Sequence, residues 1–315
     1  MDDAVLPPPL ATTTLPARTP LHVGQLFGHL AATAVPGVER WVPAPGGGAL
    51  VRTLALPGGP AVVAAHAPAG DDAPGGVRLD LLGGDPADLD AAARVVRWWL
   101  DLDADPGAVD AVLAADGALA PLVAAVPGRR VPRACGAAES AVRTVLGQQV
   151  STAAARTHTA RLVARHGEPL PVPVAGATHL FPTPERLAAL TAEELALPHA
   201  RRRTLLGVVA ALREGLLDVP VGRLDPGARA EHLAALLALP GVGPWTASTV
   251  ALRALGDDDA FLPSDLGAVA GARALGLADD ARALERRSAV WSPVRGYALQ
   301  HLWGAVPHAI NALPA

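Results

Sequence analysis

Several things are scarce in this 315-residue chain, and each scarcity excludes a class of function. There is one cysteine, Cys135, so no internal disulfide framework and no all-cysteine zinc or iron–sulfur site can form. There is no lysine, and all 26 basic residues other than histidine are arginine. No side-chain amine therefore exists to form a Schiff base. Aromatic residues make up 3% of the chain. No apolar run reaches the roughly 18 residues that a membrane span requires. The formal charge of −4 gives no global basic signal for nucleic acid. The N-terminus, MDDAVLPPPLATTTLPARTP, lacks the basic start and apolar centre of a signal peptide. A cytoplasmic location without membrane attachment is expected.

What is present is ample core-forming material, since half of the residues are hydrophobic. Residues 1–18 read as a flexible leader. Residues 19–100 read as an α+β domain. Helical spacing runs through 20–35, strand-like runs occupy 49–56, 60–67 and 77–83, and Asp85-Pro86 opens a helix to about residue 102. Beyond residue 85 the pattern contains no clear strand. It predicts helices at 105–115, 136–167 (with a break at Gly147), 200–217, 225–239, 244–255, 264–275, 279–291 and 294–306. Thr183 and Thr191 read as capped helix starts, and 171–182 as a Pro-rich connection.

The segment ALPGVGPWTAS, residues 238–248, joins two of these helices. Gly241 and Gly243 permit backbone dihedrals that a Cβ forbids, and Pro244 suits the first turn of the next helix. The amides of such a turn and the helix N-terminus behind it suit an anion, above all a phosphate. A PGxG corner also serves as plain punctuation between helices. An aspartate, Asp265, follows 22 residues after Gly243 in FLPSDLGAV, where Ser264 reads as the N-cap. That places Asp265 in a first helical turn, where the dipole favours its ionised form.

This hairpin-to-aspartate arrangement resembles the helix-hairpin-helix DNA glycosylase superfamily, and within it the 3-methyladenine DNA glycosylase II (AlkA-like) family. The segments LFGHLAATAVPGVERW, SAVRTVLGQQVSTAAART, FPTPERLAAL, LPGVGPWTA, DAFLPSDLG and WSPVRGYALQHLW carry the resemblance in order along most of the chain. It implies an α+β N-terminal domain followed by a mostly α-helical glycosylase domain, residues 101–315. The latter divides into a helical subdomain at 136–257 and a second at 101–135 plus 258–315.

The resemblance also implies a function: excision of alkylated or bulkier modified purines from duplex DNA by base flipping, as one step of base excision repair, by a monomer. Asp265 is the implied catalytic residue. Bifunctional relatives carry a lysine where Trp245 stands, so the expected enzyme is monofunctional. DNA contacts are implied for Gly241, Val242, Gly243, Trp245, Thr246 and Arg295. Gln148 and Gln149 match the loop that fills the gap left by the flipped base. No cofactor is required and no iron–sulfur cluster fits. Family hairpins hold a monovalent cation, sodium or potassium, here on the backbone carbonyls of Leu237, Leu239 and Val242.

The base pocket departs from the family pattern. Trp245 is retained, but Thr249, Leu266, Val294 and His29 occupy positions that are usually aromatic. That thins the electron-rich cup that attracts cationic bases and implies a wider, more aliphatic pocket. The RRR run at 201–203 and Arg286–Arg287 read as solvated helix faces. A non-catalytic, damage-recognising DNA-binding relative is the alternative reading.

Overall fold

The structure is a computed structural model that describes residues 6–44, 47–71 and 76–314. Its N-terminal part is a five-stranded antiparallel sheet. The chain runs through β1 (Ala11–Leu15), α1 (Val23–Thr33), β2 (Glu39–Ala44), β3 (Gly47–Leu56), β4 (Gly59–His66), β5 (Val77–Gly83) and α2 (Leu89–Trp99). The strand order is β1-β5-β4-β3-β2. Side chains alternate between sheet faces with period two, and both faces are covered. Leu50, Val63 and Leu79 point to the side packed by Leu26, Phe27 and Leu30 of α1 and Val96 and Trp99 of α2. Val51, Val62 and Ala64 point to the other side. Burial on both faces explains why β3 and β4 are near-continuous apolar runs rather than alternating ones.

A helical region follows: α3 (Pro106–Ala114), α4 (Ala120–Ala125), α5 (Ala137–Gly147) and α6 (Thr152–His166). A hairpin, β6 (Glu168–Val174) and β7 (Ala177–Leu180), interrupts it. Helices resume as α7 (Pro184–Leu187), α8 (His199–Arg213), α9 (Pro226–Leu237), α10 (Pro244–Ala254), α11 (Leu266–Ala274), α12 (Ala281–Ser288) and α13 (Arg295–Gly304). Two apolar cores organise them. One joins α5, α7, α8 and α9, and the other joins α3, α4, α11, α12 and α13. Helix α10 lies between the two. Ala247, Val250 and Ala254 face the first core, and Ala251 and Leu252 face the second. The fold is thus an α+β N-terminal domain with a mostly helical remainder, and α10 carries the turn 238–243 to the junction between the cores.

Four expectations need correction. The stretch 1–18 is not a flexible leader where it is described: Ala11–Leu15 is a strand paired in register with Val77–Leu81 of β5. Its three β-branched threonines suit a strand, and Thr12 Oγ1 donates to Asp80 Oδ1 at 2.8 Å. Residues 1–5 lie outside the described residues. Second, strands do occur beyond residue 85. The Pro-rich connection at 171–182 lies largely in the β6–β7 hairpin, whose turn puts Ala175 and Gly176 at φ +47° and +82°. Two positive φ angles at a two-residue turn match the twist of hairpin strands. Its prolines, which argue against a strand in sequence, are tolerated in an edge ribbon. Leu170, Ala177 and Leu180 cover the second face of the five-stranded sheet. Third, the segment 191–198 forms turns, not a helix. Fourth, β2 and α4 form where no element was expected.

Candidate active site and nucleic-acid interface

The hairpin between α9 and α10 is fixed by its backbone. Leu239 N–H donates to Leu236 O and Val242 N–H to Leu239 O, both at 3.1 Å. Gly241 sits at φ +83°, and a Cβ there would run into the hydroxyl of Thr204 on α8. Only glycine satisfies both conditions. Val242 is buried beneath the turn. Gly243 is the N-cap of α10, Pro244 follows at its first position, and no side chain caps the helix. Its first-turn amides are therefore uncommitted donors at the positive end of the helix dipole.

Gln148 ends α5 facing this turn. Its Nε2 donates to Gly241 O at 3.2 Å and to Thr246 Oγ1 at 3.0 Å. Gln148 is thereby a strut that holds the hairpin, while exposed Gln149, at φ +54°, forms the apex of the α5–α6 turn. Both line a cleft of about 960 Å³ that also contains Gly241, Gly243, Trp245, Asp265, Leu266 and Trp303.

Asp265 itself is the N-cap of α11, the role expected of Ser264, because its Oδ1 accepts from Ala268 N at 2.9 Å. Two indoles complete its shell. Trp303 Nε1 donates to Oδ1 at 2.8 Å, and Trp245 Nε1 donates to Oδ2 at 3.1 Å. Three donors orient a half-buried carboxylate at the cleft wall, and hydrogen bonds to a charged acceptor are the strong kind.

A second cavity, of about 360 Å³, shares Asp265, Trp245, His29 and Arg253 with the cleft and also holds Thr249. Thr249 Oγ1 donates to Trp245 O at 2.7 Å. His29 is 8% exposed and its ring centroid lies 6.3 Å from that of Trp303. Burial, then the nearby Arg253, Arg143 and His308 charges, push its pKa well below the ordinary value, so the imidazole is neutral at neutral pH. Leu266 stands at the cleft mouth, 86% exposed.

Two expected site residues are placed elsewhere. Val294 lines neither cavity and packs on the core of α11 and α13. Arg295 forms a bidentate pair with Asp259, with Nε and Nη2 at 2.9 and 2.8 Å, away from the cleft. The pocket is also not the aliphatic one expected. Its wall includes Arg52, Arg133, Arg143, Arg156 and Arg253 together with several threonines. Most of this charge is paired: Glu39 and Glu139 hold Arg52 and Arg143, and Asp101 and Asp258 hold Arg133. Burial would raise the Glu39 pKa, but the adjacent Arg143 and Arg52 charges outweigh it and hold the carboxyl below its usual range.

Trp303 and Arg253 are the residues that sequence reasoning missed. Arg253 donates from Nη1 to Pro132 O at 2.6 Å, and its guanidinium carbon lies 5.6 Å from the Trp303 ring centroid. Burial lowers its pKa to about 10, with Arg133 and Arg143 acting the same way and Asp265 opposing, so it stays cationic. The signal for Trp303 was its place in the segment YALQHLW, one of the motifs that carried the resemblance.

Among the described residues no cluster of His, Cys, Asp and Glu could hold a metal, and no helix is long and apolar enough to cross a membrane.

Comparison with known proteins agrees with this arrangement. Residues 12–136 match the AlkA N-terminal domain family. A Mycobacterium tuberculosis protein named probable bifunctional transcriptional activator/DNA repair enzyme AlkA is 47% identical over 300 residues. That alignment takes in 95% of this chain but 58% of the relative, so the chain spans just over half of that protein's length. DNA-3-methyladenine glycosylase 2 of Escherichia coli is 34% identical, with 92% of this chain and 96% of the relative covered. Among solved structures, the 3-methyladenine DNA glycosylase of Archaeoglobus fulgidus has the same fold, with a TM-score of 0.70 at 19% identity over 94% of this chain and 97% of that one. The apo 8-oxoguanine glycosylase/lyase of Clostridium acetobutylicum gives 0.67 at 17% identity over 93% and 99%. With a near-full-length relative at 34% identity and the hairpin, aspartate and N-terminal domain all in place, this chain belongs to the AlkA-like family of DNA-3-methyladenine glycosylases.

Proposed function

We propose that this chain is a monofunctional DNA glycosylase that flips a modified purine out of duplex DNA and hydrolyses its N-glycosidic bond. The observation that carries this reading is the Asp265 carboxylate, held by Trp303, Trp245 and the Ala268 amide where the cleft meets the inner cavity.

Phosphates would be received by the uncapped first turn of α10 and the amides of Gly241, Gly243 and Trp245, with Val242 and Thr246 fixing the turn beneath them. Gln149, at the apex of its turn, would enter the stack as the base leaves it, while Gln148 stays on the hairpin. The base would then enter against Trp245 and Thr249. As the bond breaks, positive charge grows on the sugar. A carboxylate already oriented there stabilises it without reorganising. At about 4 Å and an effective dielectric near 20, that interaction is about 4 kcal/mol, or about three powers of ten in rate. The carboxylate would also orient the attacking water. An N-alkylated purine leaves as a neutral base and needs little acid assistance.

The hairpin carbonyls of Leu237, Leu239 and Val242 would hold a monovalent cation of the kind that family hairpins bind. Leu239 O already accepts from Val242 N–H, which leaves its second lone pair for such an ion.

The absence of lysine supports hydrolysis without strand cleavage. The test is a duplex carrying 7-methylguanine or 3-methyladenine. The abasic product should stay full length until treated with alkali, and prompt strand scission before alkali contradicts the monofunctional assignment. The depleted cup at Thr249 and Leu266 favours the second reading, a non-catalytic damage binder. Duplex binding with no release of any base supports that reading instead.

A further inference from the structure

The inner cavity does not end where a flipped base would rest. Besides Trp245 and Thr249 it is lined by side chains of α1, α5 and α6, among them Thr33, Thr144, Thr159 and Arg156. Its volume, about 360 Å³, is by itself within the range of small-molecule sites.

The lining chemistry is selective. The hydroxyls of Thr33, Thr144, Thr159 and Thr249 each donate to the carbonyl one turn back in their own helix, at 2.7–2.9 Å. They present methyl groups and acceptor oxygens, not free donors. Arg52, Arg133 and Arg143 are taken up by carboxylates. Arg156 is different. Its Nε donates to Ala34 O at 2.8 Å, and among the described residues it has no acidic partner. Half-buried where the cavity wall adjoins a surface groove along α6, it keeps its terminal nitrogens for a ligand acceptor. Arg253, which lines both this cavity and the cleft, likewise has no carboxylate in ion-pair contact among the described residues. Two cations of this kind, with the hydroxyls of Ser140 and Thr152 also on the wall, make the cavity complementary to a chain bearing oxygen acceptors.

We propose that the inner cavity is a subsite for the substituent on the modified base, and that it takes a carboxyalkyl group whose carboxylate is bound by Arg156. This rests on the glycosylase reading above. Thr249 is the passage: it stands between the base position and the subsite, where an aromatic residue would close the way.

The test uses two free nucleobases, 7-methylguanine and 7-(carboxymethyl)guanine, titrated calorimetrically into the full chain, and the same two lesions in duplex DNA. The wild type should bind the carboxymethyl base at least tenfold more tightly. Arg156→Gln should abolish that preference and leave 7-methylguanine affinity unchanged. Thr249→Tyr should weaken the carboxymethyl base more than the methyl base. Equal affinities in the wild type, or a preference that survives Arg156→Gln, overturns the proposal. An Arg156-dependent preference for the free base without release of either lesion from DNA sustains the subsite and refutes the glycosylase reading, so the two failures are distinguishable.

Discussion

Replacing Trp303 by phenylalanine probes the Asp265 shell most narrowly. The indole donates to Oδ1 at 2.8 Å, and phenylalanine keeps a ring over Arg253 while deleting that donor. A hydrogen bond to a charged group is worth about 1.5–3 kcal/mol. Ala268 N still holds Oδ1 and Trp245 still holds Oδ2, so the lower part of that range applies. About 1.5–2.5 kcal/mol lost from the transition state corresponds to a kcat some 10- to 70-fold lower. Because Trp303 acts through Asp265, KM should change little, and single-turnover base release separates the two. The decisive control is a double-mutant cycle. In an Asp265→Asn background, Trp303→Phe should cost almost nothing more. Equal losses in both backgrounds, or a wild-type kcat in Trp303→Phe, would refute the claim that the indole orients the carboxylate.

Two further perturbations follow from the geometry. Gly241→Ala combines a positive φ with a Cβ driven into the Thr204 hydroxyl, so stability should fall by about 1–3 kcal/mol and duplex affinity with it. Thr204→Ala in the same chain should recover part of both in urea unfolding and fluorescence anisotropy. The second concerns pH. His301 is buried with both ring nitrogens unpartnered, and burial, then the Arg129 and His22 charges, push its pKa down to about 3. With a folded pKa below the unfolded value of about 6.5, the unfolded chain binds the proton more readily. Stability is then full above pH 6.5 and falls as pH drops toward 3. The loss is about 2 kcal/mol at pH 5. Urea unfolding should show it in the wild type, and His301→Leu should lose correspondingly less between pH 7.5 and pH 5.

The sequence exposed those features that rest on local chemistry. The hairpin was legible because Gly241, Gly243 and Pro244 each answer a backbone constraint, and Asp265 because its distance from the hairpin matches that in the family the sequence resembles. Strands β3, β4 and β5 of the N-terminal domain were legible from their apolar runs. The β6–β7 hairpin was not, since its prolines oppose a strand locally and its stability comes from burying Leu170 and Leu180 on a distant sheet. β1 was hidden for the same reason, because its pairing partner lies more than sixty residues away. The departures in the pocket were visible one residue at a time, but their consequence was not. Sequence predicted an aliphatic widening. The structure shows paired and unpaired arginines instead, because side chains from α1, β2, β3, α5 and α6 converge there from separate parts of the chain. Trp303 was legible as a motif member, but its contact with Asp265 depends on how α13 packs against α11.

The central claim is that Asp265 carries the chemistry at a DNA-binding cleft. It is tested most directly by comparing wild type and Asp265→Asn for base release and for affinity on one duplex containing 3-methyladenine, 7-methylguanine or a bulkier N-alkylpurine. Asparagine keeps the shape and removes the charge. The account predicts release by the wild type, a loss of about three powers of ten in the variant, and duplex affinity within a few-fold in both. Equal release by the two proteins, or binding with no release by either, would contradict it.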